Sequence, residues 1–284
     1  MSGIVQEIVD TYKKGGTLTK LIFINASVFV ICGIVSIFFD PIKDWLSMPS
    51  GLPELMMKPW TLITYNFYHI EILHFIFNIL SLYWFGKIFL VYFNNKKLLA
   101  LYLIGGIVGG LLYLAVYNIF PTIFHPGILM GASASIMAIT IAAAVYAPDF
   151  IVPMAFVGEV KLKWIGLSFF ILSVILIHST NPGGNIAHIG GALFGYLWVK
   201  QYKRGHEMTS GFSRFLSGLG SLFKRRKMKV TYKRPPSDEL EYNRKKVTEQ
   251  QEIDRILDKI SKGGYDSLTK SEKDTLFDLS KKNN

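Results

Sequence analysis

Long apolar runs in close succession constrain this chain more than any other feature. They occupy Leu21 to Phe39, Ile70 to Phe93, Leu98 to Ile119, Ser133 to Tyr146, Trp164 to His178 and Ala187 to Tyr202. A helix crossing the hydrocarbon core of a bilayer needs about 20 apolar residues. Backbone in lipid must satisfy its own hydrogen bonds, which a helix does within one segment. The runs therefore predict an all-α polytopic membrane protein with six transmembrane helices. Half of the residues are apolar and only 18% are charged, and the mean hydropathy is +0.33. The first run follows Lys13, Lys14 and Lys20 but has no small-residue cleavage site, so it reads as a retained helix and not a signal peptide. Residues 40 to 68, with Pro41, Pro49, Gly51, Pro53 and Pro59, read as a loop with short apolar pieces. Cys32, the single cysteine, lies in the first run, which excludes a disulfide framework and leaves it a packing role.

Charge divides the chain differently. Residues 200 to 284 hold 21 of the 31 Lys and Arg and 12 of the 20 Asp and Glu, so most of the net charge of +11 belongs to the tail. A basic tail beside a membrane implies attraction to anionic headgroups. No nucleic-acid-binding motif accompanies the charge, so nucleic acid is not expected as a partner. The start of the chain, the connections with Lys96, Lys97, Lys161 and Lys163, and the tail are basic; the connections at 120 to 132 and 179 to 186 have no Lys or Arg. Positive charge stays inside, so both termini are expected in the cytoplasm, with a bacterial inner membrane the expected location. The expected organisation is a cytoplasmic N-terminal segment over 1–20, a six-helix membrane domain over 21–202, a basic amphipathic segment and linker over 203–247, and a helical hairpin tail over 248–284.

The fourth run is short, about 21 Å of helix at 1.5 Å per residue against a hydrocarbon core of about 30 Å. It opens with Gly131-Ala132-Ser133-Ala134-Ser135. Small residues in a membrane helix ordinarily serve close packing. Here the glycine gives room for close approach, and free N–H groups at a helix start can hold developing negative charge beside a serine hydroxyl, as a serine nucleophile requires. A helix too short to span places Ser133 below one surface, in a dip that water reaches.

Two other stretches carry intramembrane polar groups, which are costly unless they line a cavity or bond to something. The second run begins with His69, His74 and Asn78, the last two four residues apart and on one helix face. A spacing of five between the histidines is poor for a shared metal, and neither metal nor any other cofactor is expected. The last run carries His188 at the expected outer end of its helix, followed by Gly191 and Gly195, a stripe that lets two backbones approach. General-base catalysis brings hydroxyl and imidazole within about 2.6 to 3.2 Å, so the helices bearing them must nearly touch.

Taken together, Gly131-Ala132-Ser133, the Ala187-His188 motif with Gly191 and Gly195, and His69-x4-His74-x3-Asn78 resemble the rhomboid family of intramembrane serine proteases, in order and spacing, over about Leu21 to Tyr202. The resemblance implies a rhomboid-like bundle that hydrolyses peptide bonds of transmembrane protein substrates. It implies Ser133 as nucleophile and His188 as general base, with His74, Asn78 and the Ser133 N–H stabilising the oxyanion and His69 supporting the loop over the site. Pro59-Trp60 resembles the family's loop signature, but Thr61 follows where Arg is common. Ala134 replaces the usual glycine after the nucleophile, and Met137 stands where some members place a tyrosine under the histidine. Asp149 and Glu159 lie beyond the far end of the fourth run, so a Ser133–His188 dyad is expected, its imidazole held by packing. Ser135 should face elsewhere, Glu71 is read as a solvated loop residue, and His125, His178 and His206 are read as surface or packing residues.

A catalytically silent rhomboid-like binder or chaperone is the alternative, weakened because such relatives typically lack Ser or His and this chain keeps both. A transporter lacks support, since no inverted repeat is visible. In the tail, residues 211 to 229 are expected to form a helix on an anionic surface. Thr248 with Gln251 and Thr269 with Glu272 match capping boxes for two further helices. Ile253, Ile256, Leu257 and Ile260 are expected to face Leu276 and Leu279 across that hairpin.

Overall fold

A computed structural model of the chain describes residues 3–39, 41–154, 158–178, 181–212, 214, 218 and 239–282. It divides into two units, residues 1–224 and 225–284. The first contains helices α1 (Gly3–Lys14), α2 (Thr17–Phe38), α3 (Ile42–Leu46), α4 (Leu52–Met57), α5 (Thr61–Thr64), α6 (Ile72–Tyr92), α7 (Asn95–Ile119), α8 (Ser133–Tyr146), α9 (Leu162–Ile175) and α10 (Pro182–Lys203). Each expected apolar run is thus a helix. Of these, α2, α6 and α7 are long and apolar enough to cross a membrane, while α8 and α9, the latter extended by a 3₁₀ turn to His178, are shorter apolar helices.

The short α8 is the core of the bundle. It packs against α6, α7, α9 and α10, and every side chain from Ala134 to Ala144 is buried. A helix buried all round must be approached closely, and glycines on its neighbours allow it. A Cβ on Gly191 would lie 2.1 Å from the Ala134 carbonyl oxygen, one on Gly195 2.3 Å from the Ala138 carbonyl oxygen, and one on Gly105 2.4 Å from the Ala138 Cβ. The first two set backbone against backbone and the third sets backbone against a methyl, contacts of the small-residue kind. Outside this core α2 packs on α6 and α7, leaving Val30, Ile31, Ile34, Ile37 and Phe38 exposed. That outward apolar surface is what lipid covers in a membrane protein.

Several boundaries differ from the sequence expectation. The segment 1–20 is not merely polar: Gly3–Lys14 is helical, with exposed Val5, Ile8 and Tyr12. The loop over 40–68 is folded into α3, α4 and α5, tied by hydrogen bonds from Trp60 Nε1 to the Trp45 carbonyl, Lys58 Nζ to the Asp44 carbonyl and Thr64 Oγ1 to the Leu46 carbonyl. The rings of Trp45 and Trp60 stack at 5.6 Å. Two antiparallel pairs break the all-helical pattern. Strand β1 (Met48–Pro49) pairs with β2 (Ile128–Leu129), joining the long loop to the segment before Ser133. Strand β3 (Ile151–Met154) pairs with β4 (Gly158–Lys161) in the α8–α9 connection.

Helix α10 begins at Pro182, five residues before the expected start. Asn181 caps it by accepting the Gly184 N–H at 3.0 Å, and Pro182 occupies the first turn, where its missing N–H costs nothing. His188 consequently lies nearly two turns inside its helix and not at the end.

The second unit holds α11 (Glu239–Gly263) and α12 (Lys270–Lys282). Helix α11 runs through Thr248, so no capping box operates there; the exposed surface of a mid-helix threonine is compatible with continuation. At Thr269 the box does form: Glu272 accepts from the Thr269 N–H at 2.8 Å, and Thr269 Oγ1 accepts the Glu272 N–H at 3.4 Å. Ile256 and Leu268 are buried, but Leu257 is exposed and so is not part of this small core. The expected surface helix at 211–229 falls largely outside the described residues, as does the side chain of Leu279.

Candidate active site

The approach to Ser133 is shaped by residues on three separate segments. Gly131 has φ +105°, a left-handed conformation natural only to glycine, and its N–H donates to the Tyr65 carbonyl at 2.9 Å. A Cβ there would lie 2.7 Å from His74 Cε1 and 3.6 Å from Asn78 Nδ2. Gly131 thus sets the α6 polar face directly against the turn that leads into α8. The next residue, Ala132, donates its N–H to His69 Nε2 at 3.3 Å, while His69 Nδ1 lies 3.3 Å from the Phe67 carbonyl. An accepting Nε2 requires the proton on Nδ1, so His69 clips the two loops together in one tautomer. Its ring also meets that of His74 edge-on at 5.4 Å. His69 is buried and belongs to the support, even though its spacing turns it from the face shared by His74 and Asn78.

Ser133 is the first residue of α8 and is half-buried. The N–H groups of a first turn have no carbonyl within the helix and point along its axis. Together with His188, Asn78, Ser81, Met137, Ser173 and Asn185, Ser133 lines a cavity of about 250 Å³. Among the described residues, Asn78 Nδ2 is buried with no hydrogen-bond partner, an expensive arrangement for a donor in an apolar setting. Met137 is buried and lines the cavity floor with Ile136 and Thr140.

His188 is not held by packing alone. Its Nδ1 lies 3.2 Å from Ser173 Oγ on α9, and Ser173 Oγ donates to the Phe169 carbonyl one turn earlier at 2.9 Å. Ser173 escaped the sequence reading because a serine satisfied by its own helix is an ordinary feature of an apolar segment. Asn66 escaped it too, whereas Ser135 was expected to face elsewhere. Ser135 faces away from the cavity, as its position on the helix requires, and donates to Asn66 Oδ1 at 2.8 Å. The Asn66 carbonyl accepts from Tyr102, whose hydroxyl also accepts from Asn25 Nδ2 at 2.9 Å, so a buried polar chain ties α2, α7 and α8 to the loop before α6.

The departures at Ala134 and Thr61 are accommodated. The Ala134 methyl packs where Gly109 of α7 leaves space, a Cβ at Gly109 lying only 2.8 Å from it. Thr61 starts α5, is buried, and donates to the Lys58 carbonyl at 2.7 Å, so it serves the local turn. Glu71, His125, His178 and His206 are exposed. Asp149 lies beyond the other end of α8, where Lys163 and Lys161 bind its carboxylate at 3.0 and 3.1 Å and hold it below the usual carboxylate range.

A helical bundle with an apolar outer surface, whose short central helix begins with a serine in a polar cavity, defines an integral membrane protein built around an internal polar site. Residues 57–204 match the Rhomboid domain family, more than half of the chain, and the protein belongs to that family. Residues 238–282, which contain α11 and α12, match a second family of unknown function, DUF6576. No curated protein matches the chain.

Proposed function

We propose that this protein is an intramembrane serine protease that cleaves membrane proteins in or near a transmembrane segment through a Ser133–His188 dyad. The observation that carries the reading is the shared cavity: Ser133, His188 and the partnerless Asn78 amide line one polar recess inside an otherwise apolar bundle. Ser133 Oγ attacks the scissile carbonyl as its proton passes to His188 Nε2. The oxyanion is met by the free N–H groups opening α8 and by Asn78, with His74 against Gly131 beside them. His188 returns the proton to the leaving amine, and water from the cavity releases the acyl group. Ser81, Ser173 and Asn185 make that recess hospitable to water.

The ends of the bundle differ in charge. Lys203 Nζ binds the Val145 carbonyl at 3.0 Å, and Lys161 and Lys163 bind Asp149, so the end of α8 remote from Ser133 is basic. The positive-inside rule places that end in the cytoplasm, with both termini, and turns Ser133 toward the outside of a bacterial inner membrane. The domain boundary near residue 202 and attraction of the basic tail to anionic lipid are parts of the same reading.

The test is cleavage, by purified protein in detergent, of a fusion protein with one transmembrane helix carrying Ala and Gly near its outer end. Ser133→Ala and His188→Ala are expected to abolish cleavage and fluorophosphonate labelling, while Ser135→Ala retains both. A folded wild type that neither cleaves nor labels at Ser133 sinks the protease reading and favours a binder.

A further inference from the structure

We infer that Ser173 is a positioning residue for the general base, fixing His188 in the one tautomer and orientation from which it can accept the Ser133 proton. The inference rests on the protease reading above and adds a fifth segment, α9, to a site otherwise supplied by α6, the turn at Gly131, α8 and α10.

The argument turns on where one proton sits. Neutral imidazole carries a single N–H, on Nδ1 or on Nε2, and only the unprotonated nitrogen is a base. Ser173 Oγ stands 3.2 Å from His188 Nδ1 and 2.9 Å from the Phe169 carbonyl oxygen. A hydroxyl has one proton to donate. A carbonyl only accepts, so the shorter contact to Phe169 takes the Ser173 proton, and Ser173 Oγ presents a lone pair to His188. The hydrogen bond at 3.2 Å then forms with the proton on His188 Nδ1, which leaves Nε2 free as the base. When Ser133 gives up its proton, His188 becomes doubly protonated and its Nδ1–H stays bonded to Ser173 throughout.

The surroundings favour this use of Ser173 over a purely local one. Serine satisfied by its own helix needs no partner across the bundle, and Ser173 is buried and lines the same cavity as Ser133 and His188. Among the described residues no carboxylate lines that cavity, so the orienting function that an acid performs in a triad falls to a hydroxyl whose own proton is anchored. His188 is two turns inside α10, where α9 runs alongside, and not at a frayed helix end.

The full chain in detergent is assayed with the single-span fusion protein, comparing wild type, Ser173→Ala and Ser173→Thr. A general base contributes roughly 10²- to 10⁴-fold. Loss of one group that orients it is expected to lower kcat about tenfold or more in Ser173→Ala. KM is expected to stay within about twofold, since the hydrogen bond to His188 acts on the proton transfer and not on substrate binding. Ser173→Thr keeps a hydroxyl able to bond the i−4 carbonyl and is expected to restore most of kcat and of the fluorophosphonate labelling rate. A purely structural serine would show threonine no better than alanine, or a loss tracking the melting temperature; either result overturns the positioning role. So does an unchanged kcat in Ser173→Ala when wild type is active, and in that case the protease reading survives. A wild type that neither cleaves nor labels overturns both.

Discussion

Asn78 is where a single side chain separates function from fold. Its Nδ2 is buried and no protein group accepts from it, while the side chain lines the cavity shared by Ser133 and His188. Replacing it with alanine therefore breaks no protein hydrogen bond made by Nδ2 and, on the protease reading, takes a donor from the transition state. Asn78→Ala is expected to leave the melting temperature unchanged or slightly raised while kcat falls about 100-fold, the scale of one lost oxyanion donor. Steady-state kinetics and thermal unfolding on the same preparation check both halves; a large loss of stability would mark Asn78 as a packing residue. At this scale Ser133, His188, His74 and Asn78 stood out as polar groups against an apolar background; in the fold Ser133, His188 and Asn78 line one cavity and His74 lies against Gly131. Ser173 was not legible, since an apolar helix gives no sign of which of its hydroxyls looks across the bundle. Nor was the fit of Ala134, which depends on Gly109, a residue 25 positions earlier that only the folded chain makes its neighbour.

Between elements, the decisive contact is α8 against α10. Hydropathy located both helices, and the start of α8 at Ser133 follows directly from the small residues that open it. The start of α10 was missed by five residues because hydropathy ignores capping; Asn181 and Pro182 are a capping asparagine and a first-turn proline that spell the boundary in chemistry. The two-residue pairing of Met48–Pro49 with Ile128–Leu129 has no signature in a pattern of period two, being too short to show one. Glycines at 191 and 195 were readable as a close-packing stripe, although not their partners. A Cβ on Gly191 would press on the Ala134 carbonyl, a backbone atom that moves only if α8 moves, one residue from Ser133. Gly191→Ala is accordingly expected to destabilise the bundle by about 1–3 kcal/mol, as overpacking does. On the protease reading, cleavage should fall further than stability because the overpacked contact displaces the start of α8 relative to α10. The check is whether activity, measured well below the melting temperature where both proteins are folded, still drops; equal activity there would mean that the helices part without disturbing the dyad.

Across the whole chain, the membrane unit and the C-terminal unit are held together by different physics, and pH tells them apart. The first rests on apolar burial and glycine contacts, with its charged pairs among the described residues lying toward helix ends and connections. The second is highly charged, with a core reduced to Ile256, Leu268 and their neighbours, and depends on a surface cluster. Glu272 lies at its centre. Lys259 Nζ contacts both carboxylate oxygens at 2.8 and 2.9 Å, and the N–H and hydroxyl of Thr269 donate to one of them. Those partners, Lys259 first, stabilise the ionised form and lower the Glu272 pKa from 4.5 to about 2. A carboxylate whose folded value is depressed binds protons more weakly folded than unfolded. Its stabilisation is therefore complete above the unfolded value of 4.5 and is lost progressively as pH falls through the folded value of about 2. Acidification from pH 6 to pH 2 is thus expected to loosen the α11–α12 pair, and Glu272→Gln is expected to loosen it at pH 6 and to remove this group's share of the pH dependence. Amide hydrogen exchange of the intact protein reads the effect locally, at the first turn of α12, with the amides of α8 as an internal reference that the substitution leaves unchanged. Protection at Lys270–Lys282 that is indifferent to Glu272→Gln at pH 6 would mean that the cluster decorates the hairpin without holding it.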